Sequence, residues 1–305
     1  MKKRIAAIDM GTNTILMLIS EIDGEGKLRH IRDEFRIARL GENLISTSKI
    51  QDSAVQRASE ILSEYVQICK SENVDKIQLV ATSALREAQN QIEVLNKLKT
   101  DINANFKIAS TQDEALLSFL GTIEDSADST VIDIGGGSTE LIRGTYPNIL
   151  HRTSFPIGAV KLTEQFIQSH PPNLKTVNQI RQYVRNIISE NLVQFKADKI
   201  YAVAGTPVTI AAVSLGLTKF KTSELNGYKL HLNQIETVLD IFLSHSVEFL
   251  IKEFHIHSQR ADLITAGTII LLESLLALNS KFVLVSTKGL RYGILNSIKT
   301  NNWLL

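Results

Sequence analysis

Residues 131–140 read Val131-Ile-Asp-Ile-Gly-Gly-Gly-Ser-Thr-Glu140, and an earlier stretch, Ala7-Ile-Asp-Met-Gly-Thr-Asn-Thr14, runs in the same order. Each is an apolar strand ending in a carboxylate, followed by a Gly-rich turn with small hydroxyls and then a second strand. A tight turn of this composition points successive backbone N–H groups into one concavity, an anion-binding nest. Asp9 and Asp133, at the strand ends, are poor neighbours for phosphate but good ligands for a divalent cation bridging to it. One copy alone reads equally well as an ordinary hairpin. Two copies with matched flanks, and a third turn at Ala204-Gly-Thr-Pro-Val-Thr209 after a buried strand, favour ligand loops. The offset between Asp9 and Asp133, 124 residues, is too long for a solenoid repeat and predicts two related domains, each opening with its own hairpin.

The flanking pattern agrees. Runs at Ile5 to Asp9, Ile15 to Ile22 and Leu28 to Ala38 read as an antiparallel meander. Helical periodicity follows over 52–70, with Val55, Ala58, Ile61, Leu62, Tyr65 and Val66 on one face and Asp52 or Ser53 placed to cap it. A short strand at Lys76 to Thr82, a helix near 88–99, a strand at 106–109 and a helix from Gln112 to Gly121 complete the first half. The polar stretch Glu124-Asp-Ser-Ala-Asp-Ser129 marks a boundary. The domains are therefore expected at 1–124 and 125–305, with the last helix free to pack back on the first. The second half continues with a strand at 148–155, helices at 158–168 and 174–195, the strand Ile200 to Ala204, an apolar core helix near 261–278, the strand Phe282 to Ser286 and a helix near 290–298.

Composition narrows the partners. Lys and Arg number 33 against 32 Asp and Glu, a net charge of +1 on 305 residues. That argues against a dedicated nucleic-acid binder or a polybasic membrane anchor, so an anionic ligand must be met by local donors. No run is long enough to span a bilayer, which requires roughly 20 apolar residues, and Asp9 interrupts the apolar start before it can form a secretion signal. The lone Cys69 excludes an intramolecular disulfide and reads as a core thiol. A cytoplasmic protein is expected, with a homodimer as the general prior for a soluble enzyme.

Taken together, Asp9-Met-Gly-Thr-Asn-Thr14, Asp133-Ile-Gly-Gly-Gly-Ser-Thr-Glu140 and Gly205-Thr206 resemble the phosphate and adenosine motifs of the actin, Hsp70 and sugar kinase superfamily. Within it, the chain most closely resembles the exopolyphosphatase/guanosine pentaphosphate phosphohydrolase (Ppx/GppA) family. The supporting motifs are Arg39-Leu-Gly-Glu-Asn-Leu44, Ala81-Thr-Ser-Ala-Leu-Arg-Glu-Ala88, Gln112-Asp-Glu-Ala115, Arg260-Ala-Asp-Leu-Ile-Thr-Ala-Gly267 and Ser286-Thr-Lys-Gly-Leu-Arg-Tyr-Gly293. The resemblance implies an α/β fold of two actin-like (ribonuclease H-like) domains, mixed β-sheets flanked by helices, with the active-site cleft between them. It implies release of terminal phosphate from inorganic polyphosphate or guanosine pentaphosphate. Glu114 is then the base that activates water, and Arg86 grips the phosphate. Gly11, Thr12, Asn13, Thr14, Gly135, Gly136, Gly137, Ser138, Thr139, Gly205 and Thr206 form the phosphate loops. Asp133, Glu140 and Asp9 attend a magnesium or another divalent cation.

Plainer readings stand beside these. From spacing alone, Glu114 in the first turn of a helix complements the helix dipole. Arg86 reads as a charge in a β-to-helix loop, and Glu140 as a polar strand position. His255-Ile-His257 lacks a nearby third ligand and reads as surface, and Trp303 as packing. Two further functions remain open at this stage, an ATP-dependent kinase of the same superfamily and a nucleotide-binding assembly protein without turnover. Ending at Leu305, the chain is expected to lack the helical HD-type region of long family members and their processive handling of long polyphosphate. Asp113 stands where the family usually has Glu, and Tyr292 where it is often acidic.

Overall fold

The computed structural model describes residues 3–99, 104–188 and 192–299, so Trp303 lies outside the described residues. The chain divides into two compact units: one runs to Gly121 and takes up the helix from Leu290, and the other runs from Thr122 to Gly289.

The first unit is built on the strands β1 (Lys3–Met10), β2 (Thr14–Ile22), β3 (Leu28–Ile37), β4 (Lys76–Ala81) and β5 (Asn105–Ile108), in the order β3-β2-β1-β4-β5. β1, β2 and β3 pair antiparallel as a meander, whereas β4 and β5 run parallel to β1. Its helices are α1 (Leu44–Thr47), α2 (Asp52–Ser71), α3 (Ser83–Glu87), α4 (Gln91–Lys99) and α5 (Thr111–Thr122). Helix α2 buries Val55, Ala58, Leu62, Tyr65 and Cys69, a stripe at helical spacing. Neither Asp52 nor Ser53 caps it: Gln51 holds the cap position without a side-chain bond, while Asp52 opens the helix and receives Lys97 Nζ at 3.1 Å.

The face of α2 meets β2. The Tyr65 hydroxyl donates to the Ile15 carbonyl at 2.9 Å, and Cys69 Sγ lies 3.6 Å from Met17 Sδ. Burial pushes the Cys69 thiol up to about 11. The thiolate, the reactive form, is therefore scarce at ordinary pH. Native protein at pH 8 is expected to take up no thiol-specific label, whereas guanidinium-unfolded protein takes up one per chain; rapid labelling of the native state would show that the packing around Cys69 is wrong.

The second unit repeats the plan with β6 (Ser129–Ile134), β7 (Thr139–Thr145), β8 (Asn148–Phe155), helices α6 (Ala159–Phe166) and α7 (Leu174–Ile188), and β9 (Lys199–Val203). There follow α8 (Gly205–Ser214), α9 (Thr222–Leu225), β10 (Lys229–His231), α10 (Leu232–Ser244), α11 (Val247–Phe254), α12 (Ser258–Ala261), α13 (Ile264–Ala277) and β11 (Phe282–Val285). The sheet order is β10-β11-β9-β6-β7-β8, in which β6, β7 and β8 form the meander and β9 and β11 continue in parallel. The strand sequence β3-β2-β1-β4-β5 thus recurs as β8-β7-β6-β9-β11. The short β10 escapes a sequence reading, since three residues carry no period.

Helix α13 is buried along nearly its whole length, as expected of an apolar run. Its one carboxylate, Glu273, is 2% exposed and takes Arg181 Nε at 2.6 Å and Arg185 Nε at 2.5 Å, both donors lying one turn apart on α7. The final helix, α14 (Leu290–Lys299), groups with the first unit, the return that the sequence reading left open. Gly293 permits this approach, because a Cβ there would run into the Leu117 backbone of α5, with Leu117 Cα only 2.9 Å away. No helix among the described residues is long and apolar enough to cross a membrane.

Candidate active site

Both hairpins carry their carboxylates as the sequence places them. Gly11 N donates to Thr14 O at 2.9 Å, and 124 residues later Gly135 N donates to Ser138 O at 2.9 Å, so the two turns close identically. The carboxylates differ in company. Asp133 is the register partner of Glu140, which puts two carboxylates on the same face of one hairpin, whereas Asp9 faces Leu16. Like charges directly opposite destabilise a sheet. Glu140, 2% exposed, accepts a hydrogen bond from Ser154 Oγ at 2.7 Å. No group of three or more His, Cys, Asp or Glu side chains gathers among the described residues. His255 is exposed at a left-handed helix end, and His257 Nδ1 accepts from Gln259 N. Two carboxylate-bearing residues on one hairpin suit a hard cation that keeps waters and takes phosphate oxygens for the rest of its shell.

The loop hydroxyls are unequal. Thr139 is fully buried and donates to Ile157 O at 2.8 Å, so its hydroxyl is committed to the fold. Thr12 and Ser138 are also buried, at 6% and 5% exposure. The Asn13 amide oxygen is buried with no hydrogen-bond partner among the described residues.

Glu114 and Arg86 are brought together. Arg86 Nη1 donates to Glu114 Oε2 at 2.7 Å and to Ala109 O at 3.0 Å. Arg86 is not in a loop: β4 ends at Ala81 and the chain turns at once into α3, which carries the arginine toward the end of β5. Glu114 stands with Asp113 in the first turn of α5, as the plainer reading has it, and the cap is made by its neighbour. Ser110 Oγ accepts from Asp113 N at 3.1 Å and Asp113 Oδ2 accepts from Ser110 N at 3.2 Å, a reciprocal cap at the head of α5. Although burial works against its charge, hydrogen bonds from Ser110 and Lys107 hold the Asp113 carboxyl below its ordinary range. Asp113 thus serves the helix terminus, and Glu114, only 9% exposed, is turned to Arg86.

The third turn is not a turn. Ala204, at φ 80°, leads straight into α8, so Gly205 and Thr206 open a ten-residue helix. Against them lies a residue whose motif was visible but whose role was not. A Cβ on Gly205 would sit 2.5 Å from Arg260 Cζ and 2.7 Å from Nη2, and one on Gly267 would collide with Thr206 Oγ1. Arg260 Nη1 donates to Thr209 Oγ1 at 3.4 Å, and burial lowers the affinity of its guanidinium for its proton. A cation packed on the first turn of a helix strengthens an N–H anion site, and nothing in the local sequence around Arg260 signals that placement.

The sequence model of the Ppx/GppA phosphatase family matches residues 18–302. The chain belongs to this family. Exopolyphosphatase 2 of Mycobacterium tuberculosis (strain H37Rv) is 28% identical over 286 residues, a match covering 88% of this chain and 89% of that protein. A guanosine-5'-triphosphate,3'-diphosphate pyrophosphatase of Photobacterium profundum is 25% identical over 299 residues, which cover 95% of this chain and 58% of that protein. The crystal structure of the Aquifex aeolicus Ppx/GppA family member superposes with a TM-score of 0.83 at 28% identity, covering 99% of both chains. The α/β units with their mixed sheets are those of the family's actin-like fold.

Proposed function

We propose that this protein is a phosphohydrolase that releases terminal phosphate from inorganic polyphosphate, from guanosine pentaphosphate, or from both. The substrate classes come from the relatives named exopolyphosphatase and guanosine-5'-triphosphate,3'-diphosphate pyrophosphatase. The observation that carries the reading is the Arg86–Glu114 contact at 2.7 Å, in which a mostly buried carboxylate is oriented by a cation. Hydrolysis of a phosphoanhydride requires a base within reach of an in-line water and donors on the oxygens that gain charge. Glu114 accepts the water's proton, and Arg86 keeps the carboxylate in place and answers the charge growing on the phosphoryl oxygens. In the second unit, the loop N–H groups of Gly136 and Gly137 take phosphate oxygens. Asp133 and Glu140 would hold a divalent cation, magnesium or another hard ion that accepts oxygen donors. Such an ion shields the phosphate charge and relieves the repulsion of two facing carboxylates.

A phosphate-release assay on short polyphosphate, long polyphosphate and guanosine pentaphosphate tests this. Release from at least one of them in magnesium, lost on chelation and restored by magnesium, is expected. No release from any, together with transfer of labelled phosphate from ATP to an acceptor, would make the protein a kinase. ATP-dependent sedimentation without release would make it an assembly protein.

A further inference from the structure

We infer that Gly158 is a positioning residue for the second Gly-rich loop, resting on the reading of that loop as phosphate-binding. A loop of three consecutive glycines has little intrinsic preference for the direction of its peptide groups. An anion needs their N–H groups, and a carbonyl turned toward it would repel it. The structure shows what sets the direction. The first three N–H groups of α6, which have no acceptor within their own helix, donate to the loop's carbonyls: Ala159 N to Gly135 O at 3.0 Å, Val160 N to Gly136 O at 3.0 Å and Lys161 N to Gly136 O at 3.2 Å. In a trans peptide the C=O and the following N–H point in opposite directions. With the carbonyls of 135 and 136 tied to α6, the N–H groups of Gly136 and Gly137 are turned away from it, and neither donates to a backbone carbonyl among the described residues.

Gly158 makes this clamp possible. It is the residue before the first turn of α6, at φ −150° and ψ 164°, an extended conformation open to any amino acid. Glycine is required there for space alone. A Cβ would lie 2.6 Å from Gly137 N and closer still to the Gly136 carbonyl, all backbone atoms of the loop it serves. The first unit has the same device. Thr12 O, 124 residues before Gly136 O, accepts from Gly41 N at 2.8 Å, and Asn13 O accepts from Ala38 N and Arg39 N. A Cβ on Gly41 would strike the Thr12 methyl. In each unit the segment leaving the third meander strand holds the carbonyls of the hairpin loop.

Two variants perturb the clamp by opposite means. Gly158→Ala adds a methyl against the loop. Ala159→Pro removes one donor while keeping α6, since proline suits the first helical position and Gly158 already has the extended backbone proline demands of its predecessor. Gly24→Ala, whose Cβ would meet nothing within 4 Å, is the control. Binding of inorganic tripolyphosphate with magnesium is measured by calorimetry on the full chain, alongside melting temperature and phosphate release. Gly158→Ala is expected to weaken binding about tenfold or more, and Ala159→Pro several-fold, as lost donors to a charged ligand do. Ala159→Pro should melt near wild type and Gly158→Ala below it, because backbone must shift to admit the methyl, and Gly24→Ala should bind as wild type does. If Gly158→Ala fails to fold, Ala159→Pro decides. Wild-type affinity in the folded variants, or no tripolyphosphate binding by the wild type, overturns the inference. A wild type that binds but releases no phosphate overturns the proposed hydrolysis instead and leaves the positioning role standing.

Discussion

Glu114→Gln is expected to reduce phosphate release by about 10² to 10⁴-fold, the usual contribution of a general base, with little change in substrate affinity. The substitution isolates the base because it preserves shape. A Gln carbonyl oxygen can still accept from Arg86 Nη1, now 2.7 Å from Glu114 Oε2, and the second Arg86 bond, to Ala109 O, is untouched. The capacity to take a proton from water is lost, together with the charge facing Arg86, while the shape of the side chain is kept. The measurement is steady-state phosphate release with the preferred substrate in magnesium, with kcat and KM separated. A fall confined to kcat supports the assignment. Turnover at the wild-type level would remove Glu114 from the chemistry, and a rise in KM alone would make it a binding residue.

The second large effect is on stability. Replacing both Arg181 and Arg185 with Ala is expected to destabilise the second unit by roughly 3–5 kcal/mol, the cost of leaving a buried charge without its partner. Glu273 is 2% exposed on the apolar helix α13, and these two arginines supply its ion pairs. The triple replacement Arg181→Leu, Glu273→Leu, Arg185→Leu is expected to come close to wild type, since removing a buried ionic group entirely is often neutral. Denaturant unfolding of both variants separates the cases. A double variant that unfolds at the wild-type midpoint would show that water reaches Glu273 and that the triad contributes no stability.

What was legible in the chain follows from how local the cause is. The meander, the strands after it and the core stripe on α2 are periodic features and lie where the pattern places them, whereas the parallel pairing of β4 and β5 comes from the structure. By pattern Arg86 reads as a loop residue, because the five-residue helix α3 is too short to show a period. The Ala204 stretch reads as a turn because Gly-Thr-Pro begins a helix as readily as a loop, and in the fold it opens α8 with Arg260 against Gly205. Gly158 carries no local signal, since its backbone is ordinary and its constraint comes from Gly136 and Gly137, more than twenty residues earlier.

The sequence by itself determined two hairpins, each with a carboxylate at a strand end and a loop of N–H donors. Glycines, hydroxyls and strand periodicity act on their own neighbours, so no distant contact is needed to produce them. Tertiary structure decided which groups those hairpins and helices would work with. Glu114 meets Arg86 across 28 residues because β5 lies beside β4, which brings the helices that follow the two strands together. The second loop's donors point away from α6 because α6 ties down its carbonyls, and the cation on α8 is Arg260, 51 residues beyond Thr209. These partners are set by strand order and by close backbone approach, neither of which is written in any short stretch of residues.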